Sequence, residues 1–376
     1  MSIAEKRILL TTSHGRIGSG GSMQLYLLAR AARQAGAHVE CVFAHSPGSF
    51  ADRHLDRLAD LGVPVHQMRP SRWYNPAEIA RMRRLLRDGR FDLVHTHKGG
   101  DLSLVLLASA GLPRFALVNT RGVNFPLGAN RFKYNLNRLD RAIVVSEDSK
   151  RVMARSGVRP DKIEVIYGGV DIARFVPRPE LRAPVRAELG IAPDAFVFLM
   201  VANLVRQKGH GDYLEAAARL ARSHPGAFHL FAGKGDSSAW QARAAELGLA
   251  DVVRFLGFRS DVERLFAAAD ASVVSSFAGE GVSGVLRESM ACAVPVITTN
   301  VGGNAELVAD GETGLVVPMR DPPALAAAMA RMIDGDALRT TLSQKGLVLV
   351  RERFSDDARA ARIFALYVEL LSGTGS

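Results

Sequence analysis

Short apolar runs alternate with amphipathic stretches along almost the whole chain. Lys6 to Thr12 is apolar and ends in a Gly-rich turn, and helical periodicity follows from Met23 to Ala35. His38 to Ala44 reads as the next strand, and Asp92 to Thr96, Ala116 to Thr120 and Arg141 to Ser146 continue the series with helical patterns between them. Strands that alternate with helices pair in parallel and carry helices on both faces. Between residues 171 and 195 the texture changes: Pro177, Pro179, Pro184 and Pro193 sit among charged residues, which reads as a linker with a short connecting helix. A second alternation follows, with strands expected at Phe196 to Ala202, His229 to Ala232, Val252 to Phe255, Ala271 to Ser275, Val294 to Thr298 and Gly314 to Val317. The expected organisation is two α/β domains, residues 1–172 and 173–354. A closing amphipathic helix starts at Ser355-Asp-Asp, and residues 355–376 are free to pack back on the first domain.

Composition narrows this picture without changing it. A chain of 376 residues exceeds what one hydrophobic core usually organises, and 48% apolar with 23% charged residues is ordinary for a soluble protein. The two cysteines, Cys41 and Cys292, are far apart and form no metal or disulfide pattern, so a reducing compartment is expected. The apolar stretch Leu102 to Leu112 falls short of the roughly 20 residues of a membrane span, and the N-terminus lacks the features of a signal peptide. A cytoplasmic location is expected. The net charge of +10 is lopsided, with 28 Lys and Arg against 16 Asp and Glu in residues 1–180, and 20 against 22 in the rest. Only the first half is built to meet an anion. Arg72-Trp-Tyr leads into Arg81, Arg83, Arg84, Arg87 and Arg90, and Arg131-Phe-Lys-Tyr adds a second basic stretch. These suit anionic lipid headgroups, and so peripheral attachment to the inner face of the cytoplasmic membrane, or a phosphorylated acceptor; a solvated basic face is the alternative. No nucleic-acid motif accompanies the charge, so nucleic acid is not an expected partner.

The chemistry concentrates in Ser275-Ser-Phe-Ala-Gly-Glu280-Gly-Val-Ser-Gly-Val-Leu-Arg-Glu288. Gly281, Val282, Ser283 and Gly284 form a loop that opens a helix, which offers free backbone N–H groups and the positive end of the helix dipole to a phosphate. Glu288, two turns along, can accept from a vicinal diol such as a ribose, and Glu280 can reach a sugar beside the phosphate. The alternative is a solvated helix residue and a plain loop residue. The segment, with Val301-Gly-Gly-Asn-Ala-Glu306 and Asp310-Gly-Glu-Thr-Gly, resembles the donor-site motif of the family 4 glycosyltransferases. The likeness extends to Gly20-Gly21, Val144-Val-Ser-Glu147 and Val165-Ile-Tyr-Gly-Gly-Val-Asp171 and covers nearly the whole chain. It implies a GT-B fold, in which two Rossmann-like domains face each other across a cleft. It also implies retaining transfer of a sugar from a nucleotide-diphosphate sugar to an acceptor hydroxyl.

The resemblance assigns further residues. In Val201-Ala-Asn-Leu-Val-Arg206-Gln-Lys208-Gly209, Lys208 matches a family lysine that holds the diphosphate, while Asn203 stands where the family carries an arginine; Arg206 is the nearby substitute. Gly233, in Gly-Lys-Gly-Asp236, matches a loop near the donor, and Phe258 and Arg259 match the loop that contacts the base. Lys208, the helix start behind Gly281 to Gly284, and the Gly18-Ser-Gly-Gly21 loop of the first domain are expected to stabilise the departing diphosphate together, without a metal or other cofactor. Asp334-Gly-Asp336 spells a metal-binding triplet but lies away from every other motif and reads as a turn. His97 ends a strand expected to face the cleft, and with Glu280 and Lys208 it is a candidate catalytic residue. A metal reading of His95-Thr-His97 is set aside on the expectation that the two rings point to opposite faces. No histidine follows the next strand, leaving Arg121 and Asn124 as acceptor-side candidates. The expected partners are a nucleotide sugar and a glycan or glycolipid acceptor, with cell-envelope material such as lipopolysaccharide the favoured acceptor class. Two alternatives remain open: a nucleotide-sugar epimerase of the same fold, and an NAD(P)-dependent oxidoreductase suggested by Gly15, Gly18 and Gly20 with Glu40 some 20 residues on.

Overall fold

The computed structural model describes residues 2–15, 17, 20–44, 52–68 and 75–373, the side chains of 52–54 excepted. Gly18, Ser19 and the Arg72-Trp-Tyr stretch lie outside the described residues. The chain divides into two compact units, Met1–Gly169 with Asp356–Ser376, and Val170–Ser355.

The first unit is a seven-stranded parallel sheet of β1 (Arg7–Thr12), β2 (His38–Ala44), β3 (Val65–Met68), β4 (Leu93–Thr96), β5 (Ala116–Arg121), β6 (Arg141–Val144) and β7 (Ile163–Val165). Their spatial order is β3-β2-β1-β4-β5-β6-β7. The second unit is a six-stranded parallel sheet of β8 (Val197–Val201), β9 (Phe228–Ala232), β10 (Val253–Phe255), β11 (Ala271–Val274), β12 (Val296–Thr299) and β13 (Leu315–Val317), in the order β10-β9-β8-β11-β12-β13. Central strands such as β4 and β11 are buried at every position, as a parallel strand must be when helices cover both faces.

Both sheets reverse their winding once, between β1 and β4 in the first unit and between β8 and β11 in the second. At such a point the loops leaving two adjacent strands turn to opposite faces, and a crevice opens at the carboxyl edge between them.

Two strands and one connecting segment differ from the sequence reading, while the closing helix takes a placement that reading left open. Strands β3 and β7 were not expected; β3 is a short, half-exposed Val-His-Gln-Met with no apolar run to announce it. The proline-rich segment is not a loose linker: the helix Arg182–Glu188 is tied to the second unit by Arg182 and Arg186, which both bind Asp270 (2.5 and 2.7 Å). The closing helix Asp356–Gly373 packs on the first unit, where Ile363, Leu366 and Tyr367 join the core made by Ile8, Leu10, Leu25 and Val39. Asp334-Gly-Asp336 is the junction of two helices, with Asp334 bonded to His224 (3.0 Å) and Asp336 paired to Arg339.

Candidate active site

In the second unit, Lys208 follows β8 and Glu280 follows β11, so the winding reversal brings them together although 71 residues separate them in the chain. Lys208 Nζ lies 2.5 Å from Glu280 Oε1, which also accepts the Ser276 hydroxyl at 2.7 Å. Glu280 is 7% exposed, so its charge depends on these partners.

Glycines set the backbone of this crevice. Gly209 has φ +75°, and a Cβ there would lie 2.0 Å from the Ser275 carbonyl oxygen. The same close approach lets the Ser275 hydroxyl donate to the carbonyls of Lys208 and Gly209, both at 3.1 Å. Gly302 has φ +54°, and a Cβ would meet the Glu280 carbonyl oxygen at 2.1 Å. The Val301-Gly-Gly-Asn motif is thereby explained. Gly303 N–H donates to the Gly281 carbonyl, Ser283 N–H donates to Asn304 Oδ1 (2.9 Å), and the Asn304 amide donates to Thr298 Oγ1 (3.0 Å). The Gly281–Gly284 loop is thus clamped from below, leaving the helix Gly284–Ala291 with no side-chain cap on its first N–H groups.

Glu288 lies on that helix, half-buried, and its side chain makes no hydrogen bond or ion pair among the described residues. Burial pushes its carboxyl above the usual range, while Arg287 and Arg174 pull it back.

The remaining donor-side candidates share the same edge of the sheet. Asn203, Gly233 and Phe258 stand in the loops after β8, β9 and β10, and the loops interlock: Leu204 N–H donates to the Lys234 carbonyl (2.7 Å) and Gly233 N–H to the Gly257 carbonyl (2.8 Å). A Cβ on Gly233 would collide with the Ala202 carbonyl oxygen. Phe258 is 59% exposed, with Lys234 Nζ 4.4 Å from its ring centre. Arg259 is engaged locally, by Asp261 (2.8 and 2.7 Å) and Glu188 (3.1 Å). Arg206 lines a neighbouring cavity of about 250 Å³ with Asp212, Trp240, Phe277 and Arg320.

In the first unit, Gly20 and Gly21 open the helix Gly20–Gln34 after β1, and His97 follows β4 at the other side of the winding reversal. The expected divergence of His95 and His97 is wrong. Residues two apart on a strand share a face, and the rings stack 4.3 Å apart. Their environments differ all the same. His95 is a structural residue, bonded to Tyr367 Oη (2.6 Å) and Thr120 Oγ1 (2.7 Å). Neither buried ring nitrogen of His97 makes a hydrogen bond of normal geometry among the described residues; backbone groups of Thr11 and His95 lie near, but burial holds its pKa down to about 3. Arg121 donates to the Phe125 carbonyl and Asn124 to Asp148. The arginines of helix Pro76–Gly89 are mostly committed: Arg81 to Glu78, Arg83 to the carbonyls of Ala108 and Ala110, and Arg87 to Asp88. All five arginines of this stretch, Arg84 and Arg90 included, remain exposed, so the helix presents a solvated basic face on which these pairs are superficial. Glu40 sits inside β2, bonded to His66 (2.7 Å) and Arg7 (3.3 Å), so the oxidoreductase reading loses its ribose-binding carboxylate.

A lysine–carboxylate pair and an uncapped helix start at the winding reversal of a parallel sheet define a protein that handles a phosphate-linked substrate. Residues 182–347 match the model of glycosyl transferases group 1, and residues 18–174 that of glycosyltransferase family 4. The D-inositol 3-phosphate glycosyltransferase of Acidothermus cellulolyticus is 30% identical, over 85% of this chain and 75% of its own. The lipopolysaccharide core biosynthesis glycosyltransferase LpsE of Rhizobium meliloti is 32% identical over 54% of this chain and 57% of its own. Among solved structures, Anabaena HepE in complex with UDP and glucose superposes with a TM-score of 0.82 at 22% identity, covering 98% of this chain and all of that one. The chain belongs to glycosyltransferase family 4 and has the GT-B fold. It is a glycosyltransferase; the epimerase and oxidoreductase alternatives find no support among these relatives.

Proposed function

We propose that the chain moves a sugar from a nucleoside diphosphate donor to an acceptor hydroxyl with retention of anomeric configuration. The observation that carries this reading is the contact of Lys208 with Glu280 beside the uncapped start of helix Gly284–Ala291. As the glycosidic bond to the diphosphate breaks, negative charge grows on the leaving phosphate. Lys208 and the first N–H groups of that helix supply positive potential to it, and they act before any reorganisation is needed. Glu280 binds the transferred sugar through its hydroxyls, with Lys208 between it and the phosphate to relieve their repulsion. Glu288 accepts both ribose hydroxyls, and Phe258 with Lys234 offers an apolar and cationic surface to the base.

The second unit is accordingly the donor side, and the first unit, with His97, Arg121 and Asn124, the acceptor side. The named activities of the relatives, on inositol 3-phosphate and on lipopolysaccharide core, support an envelope glycan or glycolipid acceptor. Among the described residues no helix is long and apolar enough to cross a membrane, so contact with a lipid acceptor would be peripheral. The deciding experiment is a thermal-shift screen of UDP-, GDP- and ADP-sugars followed by transfer with the stabilising donor. Glu280→Ala and Lys208→Ala are each expected to lower turnover at least 100-fold with folding intact; near-normal turnover in both would defeat the assignment. Proton NMR of the first-formed product reads the anomeric outcome.

A further inference from the structure

We propose that a cavity in the first unit, at the start of helix Gly99–Ala108, binds a phosphate group carried by the acceptor. This rests on the transferase reading and goes beyond it by naming the acceptor's chemistry. The cavity holds about 310 Å³ and is lined by Gly99, Gly100, Ser103, Arg121, Lys133 and Tyr134, among others.

Several donors converge here. A Cβ built on Gly99 would stand 3.2 Å from Lys133 Nζ and 3.4 Å from Tyr134 Oη, so backbone, ammonium and hydroxyl meet within one small space. Lys98 occupies the cap position of the helix but gives it no side-chain hydrogen bond. Tyr134 is fully buried, and its hydroxyl makes no hydrogen bond of normal geometry, but the Arg121 guanidinium lies close enough to interact with it as donor and as charge. Arg121 Nε is buried without a partner. Lys133 spends two of its three N–H groups, on the Gly99 carbonyl (2.6 Å) and the Ser103 hydroxyl (3.2 Å). Burial and the nearby Arg121 both depress its pKa, the mark of two cations sharing a site.

The one acid that acts on Lys133 is Asp101, and it is turned to the Ser13 N–H (3.1 Å) on another side, with burial raising its carboxyl to about 7. Buried donors left unpaired are costly, and a phosphate answers all of them at once with its oxygens. A neutral sugar hydroxyl would satisfy one or two and leave the two cations facing each other. Exposed Val123, Phe125 and Phe132, at 44, 51 and 64%, follow in the same stretch of chain. The phosphate's source is therefore either a lipid headgroup or a soluble sugar phosphate.

The test uses the full chain and two probes. Inorganic phosphate is titrated by calorimetry at low ionic strength, and vesicles of phosphatidylcholine with and without phosphatidylglycerol are used in sedimentation. Tyr134→Phe removes only the hydroxyl and should fold as the parent does. Its affinity for phosphate or for anionic vesicles is expected to fall 3- to 10-fold, and that of Lys133→Met and Arg121→Gln by 10-fold or more. Loss in the phosphate arm supports a soluble acceptor, and loss in the vesicle arm alone supports a headgroup. Binding that the three substitutions leave unchanged, or no binding by the parent in either arm, overturns the proposal. UDP stabilisation is measured in parallel, because its site lies in the second unit. Its absence from the parent would remove the transferase reading while the phosphate titration still reports on this cavity.

Discussion

Two side chains carry titration behaviour that can be checked directly. Glu288 has its pKa raised in the folded state by burial, so the folded chain holds this proton more tightly than the unfolded chain does. Its contribution to stability is therefore gained as pH falls through the raised pKa and lost as pH rises. Glu288→Gln should raise the melting temperature near neutral pH. The same change removes a charged acceptor for two hydroxyls, and donor affinity should fall about 10- to 100-fold, since hydrogen bonds to charged groups are worth ~1.5–3 kcal/mol. Thermal denaturation and a UDP titration separate the two effects; unchanged affinity would remove Glu288 from the donor site. His97 behaves oppositely. Its folded pKa of about 3 lies below the ordinary 6.5, so the unfolded chain takes up the proton first and stability is lost as pH falls below about 6.5. His97→Phe should flatten that loss between pH 6.5 and 4 while holding the fold, because it replaces two buried nitrogens that lack well-formed hydrogen bonds with apolar surface. If the imidazole touches substrate, transfer by this variant drops by a factor of 100 or more; a depressed melting temperature would show that His97 has a buried partner instead.

At the scale of elements, the site is made by loops that glycine alone permits. Gly209 combines φ +75° with a Cβ position 2.0 Å from the Ser275 carbonyl oxygen, so Gly209→Ala must push apart the loops that carry Lys208 and Glu280. Strain at such a position costs of order 1–3 kcal/mol, and transfer should fall far more than stability does. A variant that is destabilised yet fully active would show the loop geometry to be incidental. The elements themselves were largely legible. The inner strands of the second unit, such as β8 and β11, announce themselves as apolar runs, since a parallel strand covered on both faces has few polar positions to blur it, whereas edge strand β10 carries the exposed Arg254. Edge strand β3 did not announce itself, because Val-His-Gln-Met is half-exposed and its pairing to β2 is a matter of tertiary position. The glutamate pair of the proposed donor site was legible as a candidate because both residues lie in one segment of 14 residues. The contact of Glu280 with Lys208 follows only from strand order. The cavity around Tyr134 was still less accessible, for it needs β5, a helix start and the turn before Tyr134 in three dimensions. The sequence showed Arg131-Phe-Lys-Tyr as a basic patch, whereas its tyrosine turns inward and its lysine binds a helix carbonyl.

The whole molecule places its chemistry on two units that differ in charge and in how they are completed. The first unit is finished by the last helix of the chain, which delivers Ile363, Leu366 and Tyr367 to its core. Tyr367 is fully buried, and its hydroxyl holds His95 against β5 through a chain that ends at Thr120. Tyr367→Ala would leave a cavity and an unpaired His95 nitrogen, which for a large buried aromatic costs about 3–5 kcal/mol. That loss should fall on the first unit, because Lys208, Glu280 and Glu288 all lie in Val170–Ser355 and share no core residue with it. The variant is expected to unfold at lower temperature, and to show phosphate binding weakened in the cavity by Tyr134, while UDP still stabilises what remains folded. Hydrogen exchange would place the new openings in β1, β4, β5 and the helix Asp356–Gly373. Loss of UDP binding in step with that protection would mean that the donor site depends on the first unit's core, and the division of labour proposed for the two units would then be wrong.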